Sequence, residues 1–396
     1  MTPSSAGAIA VAIALALLWG EQQASLGWTW LLGCAIGALL MSGGIGFSGP
    51  IRRWLRHGEV EALAPLAGLL ALLILGSALL FALAESLGLG LRPTQAPIRL
   101  SLVVGAFLFG IGMQLARRCA SGTLASAAHP DREFFATLLA LTAGVFLGSL
   151  HRPFWERVIP GALPPVLLLE RLPLPLAVLA QLALLALCIA SALALPRVRR
   201  RSHPSSFRAE GARGAVHPPS AVVALALLLL LLFGVSGEPW KVLWGLGLTA
   251  AHGAKSVGWD PQGSAFWASP SRLALLSGPE QWLRHGAVVV NLGVIYGAWI
   301  AGLWPKRQTQ AAAPPMEPAP GLWWRQLTGG LLMGYGGFLS YGCNISSFLG
   351  GVMSFSLHGW VWLGAAVAGS AFWLHWEKTS ERNTLSQGVF SGSDQA

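Results

Sequence analysis

The chain has 396 residues, of which 54% are hydrophobic and only 11% are charged. Soluble domains carry about 25% charged residues, so this chain has too few polar side chains to cover a soluble globule of its size, which excludes a soluble enzyme. The net charge of +10 comes mainly from arginines in short connections, as in cytoplasmic loops of membrane proteins, and no nucleic-acid-binding motif accompanies them. We therefore expect an integral membrane protein in a lipid bilayer, with no nucleic acid partner.

The apolar stretches predict an all-α polytopic membrane protein with about nine transmembrane helices, since a bilayer core about 30 Å thick needs about 20 apolar residues. The stretches centre on 6–18, 30–41, 62–83, 100–115, 134–147, 175–195, 222–235, 288–303 and 361–374, and 327–339 is a full span or half of one. Shorter stretches, interrupted by Gly, Ser or Pro, occupy 119–128, 163–169, 242–251 and 343–357. Irregular backbone in lipid needs protein or a cavity to satisfy it, so these pieces predict re-entrant half-helices around an internal path.

Two basic connections suggest the orientation and the division of the chain. The connection 197–219 separates an N-terminal membrane half, 1–196, from a C-terminal membrane half, 220–396, and a second basic segment covers 305–320. The positive-inside rule places both connections in the cytoplasm. Residues 1–20 lack a basic leading region and a cleavage site, so we expect them to form a retained first helix.

The two halves share an internal repeat. Residues 110–119 (GIGMQLARRC) and 334–343 (GYGGFLSYGC) match at two glycines, a leucine and the final cysteine. A weaker sequence similarity pairs Gly33 and Gly37 with Gly293 and Gly297, at a spacing that lets membrane helices approach closely. Paired segments that glycines interrupt, at corresponding positions of two halves, are typical of a transporter's binding site.

The repeat predicts a site for an anion. A helix that breaks at Cys119 or Cys343 leaves a new half-helix, whose start presents free N–H groups and a positive dipole end. A thiol adds a weak donor and a polarizable sulfur, which suits a soft sulfur-bearing anion. The candidate substrate-binding residues are Cys119, Ser121, Gly122, Thr123, Gly342, Cys343, Asn344 and Ile345.

Other polar residues have simpler interpretations. Cys34 and Cys188 lie in Gly, Ala and Leu runs and are predicted to be packing residues. The four cysteines form no CxxC motif and no Cys/His cluster, so we predict no disulfide framework, no metal and no cofactor. Arg117 and Arg118 are either anion-attracting residues at a cavity mouth or interfacial anchors.

The two cysteine motifs, with the sequence SLHGWVW at 356–362, resemble the YeeE/YedE sulfur-transport family. Residues 244–248, 253–255, 265–267 and 291–298 are also similar to the second half of that family, so the resemblance covers most of the chain. It implies a multi-pass protein of the bacterial inner membrane that imports thiosulfate and is not an enzyme. Cys119 and Cys343 would then relay the anion by S–H hydrogen bonds, and a TusA-like sulfur carrier would be the cytoplasmic partner.

The chain departs from this family in two places. The family carries a further cysteine in an early segment, where this chain has Gly46, two residues before Ser48. Arg117 and Arg118 precede Cys119, where the family has small residues. Gly46, Ser48, Arg117 and Arg118 are therefore our candidates for the entry of the path.

Three other functions stay open at this point. The chain could be a channel or permease for another sulfur or selenium oxyanion. It could be a membrane-bound sulfurtransferase with a persulfide on Cys119 or Cys343, which would need an activated thiolate. It could also be a purely structural membrane subunit.

Overall fold

The computed structural model describes residues 3–43, 46–128, 132–158, 161–194, 219–303 and 323–391, and most of these residues are helical. In chain order the α-helices are α1 (Pro3–Gln22), α2 (Ala24–Gly43), α3 (Ser48–His57), α4 (Ala64–Leu83), α5 (Leu100–Leu115), α6 (Ala120–Ser126), α7 (Arg132–Val158), α8 (Leu168–Arg171), α9 (Leu174–Ala194), α10 (Pro219–Ser236), α11 (Val242–Ser256), α12 (Pro270–Leu275), α13 (Pro279–Leu283), α14 (Gly286–Gly302), α15 (Trp323–Leu339), α16 (Gly350–Met353) and α17 (His358–Ser391). A π-helix, Asn344–Leu349, precedes α16, and two isolated β-bridges join extended segments.

The all-α membrane architecture is confirmed. Among the described residues, five helices are long and apolar enough to cross a membrane, and the pair α5 and α6, bent by 43°, forms a sixth span or a re-entrant loop. Ala6–Glu21 and Gly286–Gly302 are shorter apolar helices. Clear spans together with shorter apolar helices fit the predicted combination of transmembrane helices and half-helices. The basic connections at 197–218 and 305–320 lie outside the described residues.

Glycines set the packing of α2 against α14. A Cβ at Gly33 would lie 2.8 Å from the carbonyl oxygen of Val290, and Gly37 meets Val294 in the same way. On the other helix, Gly293 faces Trp30 and Gly297 faces Cys34. As the residue number rises along α2, the number of the contacting residue in α14 rises too, so the two helices run parallel. The weak sequence similarity thus lies in two helices, α2 and α14, that pack on each other.

The two helices that lead into the cysteines run antiparallel. Gly105 of α5 packs on Gly336 of α15, whereas Gly112 packs on Gly329. Each of these helices is also parallel to the helix that follows the other motif: α5 runs beside α17, and α15 runs beside α7. This is the arrangement of inverted-topology repeats. The N-terminal and C-terminal halves therefore share one core, and their division into separate units remains a prediction.

Candidate functional site

The helices α5 and α15 end with the same backbone geometry. Arg117 and Tyr341, each two residues before a cysteine, have left-handed φ angles of 55° and 65°. The next N–H in each case bonds back over five residues, from Arg118 to Met113 at 3.1 Å and from Gly342 to Gly337 at 2.8 Å. This is a Schellman ending, in which glycine usually takes the left-handed position. The repeat found in the sequence is therefore also a repeat of backbone conformation. In both copies a residue other than glycine occupies the left-handed position that glycine usually takes.

Cys119 is the N-cap of α6. Its sulfur accepts a hydrogen bond from the Gly122 N–H at 3.4 Å and lies 3.4 Å from the Ser121 hydroxyl oxygen. The Thr123 hydroxyl donates to the Cys119 carbonyl oxygen at 2.9 Å. The side chain is only 3% exposed. The structure thus brings Cys119, Ser121, Gly122 and Thr123 together at one buried helix start.

Cys343 occupies the same position before the π-helix. Its sulfur lies 3.4 Å from the Ser346 hydroxyl oxygen, and the residue is fully buried. Gly342 has a φ of 152°, and a Cβ there would lie 2.6 Å from the Cβ of Ser346. Because Gly342 has no Cβ, the Ser346 side chain has room to contact the Cys343 sulfur. Short π-helices inside helical segments occur frequently at functional sites, which fits this location.

Asn344 differs from the other buried polar residues of this region. It is 2% exposed, and neither its amide nitrogen nor its amide oxygen has a hydrogen-bond partner in the described part of the chain. Nearly all buried polar side chains in proteins are hydrogen-bonded. Ile345, the next residue, is also buried and places an apolar side chain in the same region. A buried amide without a partner can accept or donate to a ligand at no cost to the protein's own contacts.

The two cysteines belong to one buried core. They are near enough to interact electrostatically, and both lie in the largest apolar cluster. All four cysteines are free, with Cys34 half-buried and Cys188 exposed. Within the described ranges, no three His, Cys, Asp or Glu side chains come together in a way that could hold a metal ion.

An open vestibule of about 610 Å³ leads to the second motif. Its wall contains Ser236, where α10 ends, and Gly286, where α14 begins, so the vestibule lies opposite the start of α10 and the end of α14. Gly342 and Ser346 lie in its lining, whereas Cys343 does not. The Ser346 hydroxyl accepts the Val242 N–H at 3.1 Å and contacts the Cys343 sulfur, so one serine separates the vestibule from a buried thiol.

The vestibule is strongly basic. Among the described residues its lining includes five cations and one carboxylate: Arg92, Arg152, Lys241, Arg272 and Arg284, with Glu238. Burial lowers the pKa of His285, whose imidazole sits between Trp244 and the start of α14. Sequence reasoning missed these residues, because they come from loops and helix ends that are far apart in the chain.

The predicted entry residues lie at the other motif. The Ser48 hydroxyl donates to the Arg117 carbonyl oxygen at 3.3 Å, and Phe47 contacts the ring of Phe348 in the π-helix. The Arg118 guanidinium donates to the Ser126 hydroxyl at 2.6 Å and lies over an aromatic ring. Gly46, Ser48, Arg117 and Arg118 are absent from the lining of the vestibule. They therefore adjoin the first cysteine motif, away from the basic vestibule.

Comparison with known proteins gives two kinds of match. A model of the sulphur transport family matches residues 42–372, which include both cysteine motifs. Proteins named probable transporter YedE, from Escherichia coli K12 and Salmonella typhimurium LT2, are 27% and 28% identical to this chain over 164 residues. The alignment covers 39% of this chain and 36% of each relative, so the chain spans about a third of the length of the curated relatives that it matches.

Proposed function

The chain belongs to the sulphur transport family, and we propose that it imports thiosulfate, or a similar small sulfur anion, across the bacterial inner membrane. One observation carries this proposal. Two buried thiols, each beside a serine hydroxyl, lie in antiparallel copies of one motif, and the second is one residue away from a basic vestibule. An anion that is drawn into the vestibule would meet Cys343 first and Cys119 second.

The direction of transport follows from the charge of the connections. If the basic segments 197–219 and 305–320 are cytoplasmic, the vestibule opens on the outer face. The first motif, with Ser48 and Arg117, then adjoins the inner end of the path. In this orientation Arg117 and Arg118, which the sequence suggested for the entry, would instead attract the anion at its exit, where a TusA-like carrier could receive its sulfur.

The thiols suit a relay without covalent chemistry. Each S–H can donate one weak hydrogen bond to an anion oxygen or sulfur, and the polarizable sulfur makes favourable contact with a soft anion. Ser121 and Ser346 supply stronger hydroxyl donors at the same points. The amide of Asn344 would donate to the anion between the two thiols, and Gly122, Thr123 and Ile345 would shape its path. No bond to sulfur forms or breaks, so the protein acts as a transporter and not as an enzyme.

Uptake by cysteine variants tests this function. Cys119→Ser and Cys343→Ser keep a side chain that can cap the following helix, so they should fold normally. We expect each to reduce growth and uptake in a strain that depends on thiosulfate, and the double alanine variant to abolish them. Cys34→Ser and Cys188→Ser are the matched controls, since both cysteines lie away from the two motifs. Unchanged uptake by the double alanine variant would refute the relay.

Two further measurements separate the alternatives. A thiol-lined path should transport thiosulfate in preference to sulfate, and equal transport of sulfate, sulfite or selenite would favour a broader anion permease. A sulfurtransferase would carry a persulfide on Cys119 or Cys343 during turnover. Mass spectrometry of the working protein should find both cysteines unmodified if the relay is noncovalent.

A further inference from the structure

Two guanidinium groups in the lining of the vestibule lie near the same aromatic ring. Arg152 comes from α7, and Arg272 comes from α12, a short helix of the connection between α11 and α14. The Arg272 guanidinium lies 3.9 Å from the centre of the Phe266 ring, and that of Arg152 lies 5.9 Å from the same ring. Arg152 also stacks over Tyr341, at 4.3 Å. Tyr341 directly precedes Gly342, so the pair lies next to the second cysteine motif.

The charge of this pair is only partly balanced. Glu156 accepts a hydrogen bond from Arg152 at 2.9 Å, but no carboxylate of the described residues lies within 4.0 Å of Arg272. Burial, and secondarily the charge of Arg152, lowers the pKa of Arg272. The two cations are therefore close enough to repel each other in a partly desolvated place, where an anion would lower the energy of both.

The geometry also leaves hydrogen-bond donors available. Each guanidinium has five N–H groups in its plane, while stacking on an aromatic ring occupies only its faces. Arg272 uses one nitrogen on the Phe266 carbonyl oxygen, and Arg152 uses its Nε on Glu156. The remaining N–H groups can bind oxyanion oxygens in the paired manner that arginine favours.

We propose that Arg152 and Arg272 form a binding site for a compact, doubly charged oxyanion, upstream of the cysteines. The proposal rests on the proposed transport function and adds a capture step to it. This site recognises charge and oxygen geometry, so sulfate should bind here about as well as thiosulfate. Selection for the softer anion then occurs afterwards, at the buried thiols. Sulfate would consequently inhibit transport without itself being transported.

Binding to the purified full-length protein tests the site separately from transport. Isothermal titration with sodium thiosulfate and with sodium sulfate should give similar affinities for the wild type, each weaker at higher ionic strength. Arg272→Gln should weaken both by about tenfold or more, since it removes a charged, bidentate partner. Arg272→Lys, which keeps the charge, should retain part of the affinity, and it remains informative if the glutamine variant does not fold. Arg157→Gln is the matched control, because it removes an equal charge from the exposed end of the same helix as Arg152.

The outcomes distinguish this site from the transport function. If Arg272→Gln bound both anions as tightly as the wild type, the proposed site would be wrong. If Arg157→Gln lost as much affinity as Arg272→Gln, only the net charge of the protein would matter, and the proposed site would again be wrong. Cys119→Ser and Cys343→Ser should lose transport and keep the binding of both anions. Binding without transport in the wild type would contradict the proposed function while leaving the site intact. Binding of thiosulfate but not sulfate would place recognition at the thiols and refute the capture site.

Discussion

At the scale of single residues, two buried asparagines show how a structural amide differs from one available to a ligand. Asn291 accepts a hydrogen bond from the Trp240 indole N–H at 2.9 Å and donates to the Val242 carbonyl oxygen at 2.9 Å. Asn344 is buried to a similar degree and has no hydrogen-bond partner for either amide atom within the described ranges. The first amide therefore holds α11 against α14, and the second leaves both amide atoms available, as the proposed anion contact requires.

Replacement of each asparagine by leucine should have opposite consequences. Asn291→Leu leaves the Trp240 indole N–H without its hydrogen-bond partner, at a cost of about 1–3 kcal/mol. Asn344→Leu removes no hydrogen bond within the protein, so its unfolding temperature should stay close to that of the wild type while thiosulfate uptake falls. Thermal unfolding in detergent and uptake in cells measure both effects. Strong destabilisation by Asn344→Leu, or normal uptake, would show that this amide has a structural role only.

At the scale of elements, the sequence was informative about where helices break and approach each other. Most predicted apolar stretches lie within described helices, and the repeat correctly marked two helices that end alike. The stretch 163–169 is instead mostly extended, because Pro164 and Pro165 interrupt it. The small-residue spacing in α2 and α14 predicted close contact between helices, which Gly37 and Gly297 confirm. The antiparallel direction of α5 and α15 could not be predicted, because a sequence match carries no information on how two helices are oriented in the membrane.

A pair of glycine substitutions tests the packing of α2 on α14. A Cβ at Gly297 would overlap the backbone carbonyl of Cys34, and backbone on both sides leaves no flexible group to move aside. We expect Gly297→Ala to destabilise the protein by about 1–3 kcal/mol, the usual cost of overpacking. Gly253→Ala in α11 meets no atom within 4 Å and should stabilise its helix by roughly 0.5–1 kcal/mol. Equal unfolding temperatures for both variants would mean that α2 and α14 are not in close contact.

At the scale of the whole molecule, charged side chains from distant parts of the chain gather in two places. The described lining of the vestibule has five cations and one carboxylate, and elsewhere the buried Glu377 of α17 binds Arg52, Arg56 and Arg325. These ion pairs join α3, α15 and α17 beside the first motif. Neither assembly could be predicted from the sequence, because each combines charges that lie far apart in the chain and meet only after the helices pack. The predicted placement of Cys119 and Cys343 at an anion site, in contrast, followed from a local repeat.

Thiosulfate flux into proteoliposomes tests the central claim most directly. Purified protein is reconstituted, an inward gradient of labelled thiosulfate is applied, and the wild type is compared with Cys343→Ser and with empty vesicles. We expect uptake by the wild type, a loss of about tenfold or more in a Cys343→Ser variant that unfolds at the wild-type temperature, and little flux of sulfate. Wild-type vesicles that accumulate no more thiosulfate than empty ones, or a Cys343 variant as active as the wild type, would contradict it.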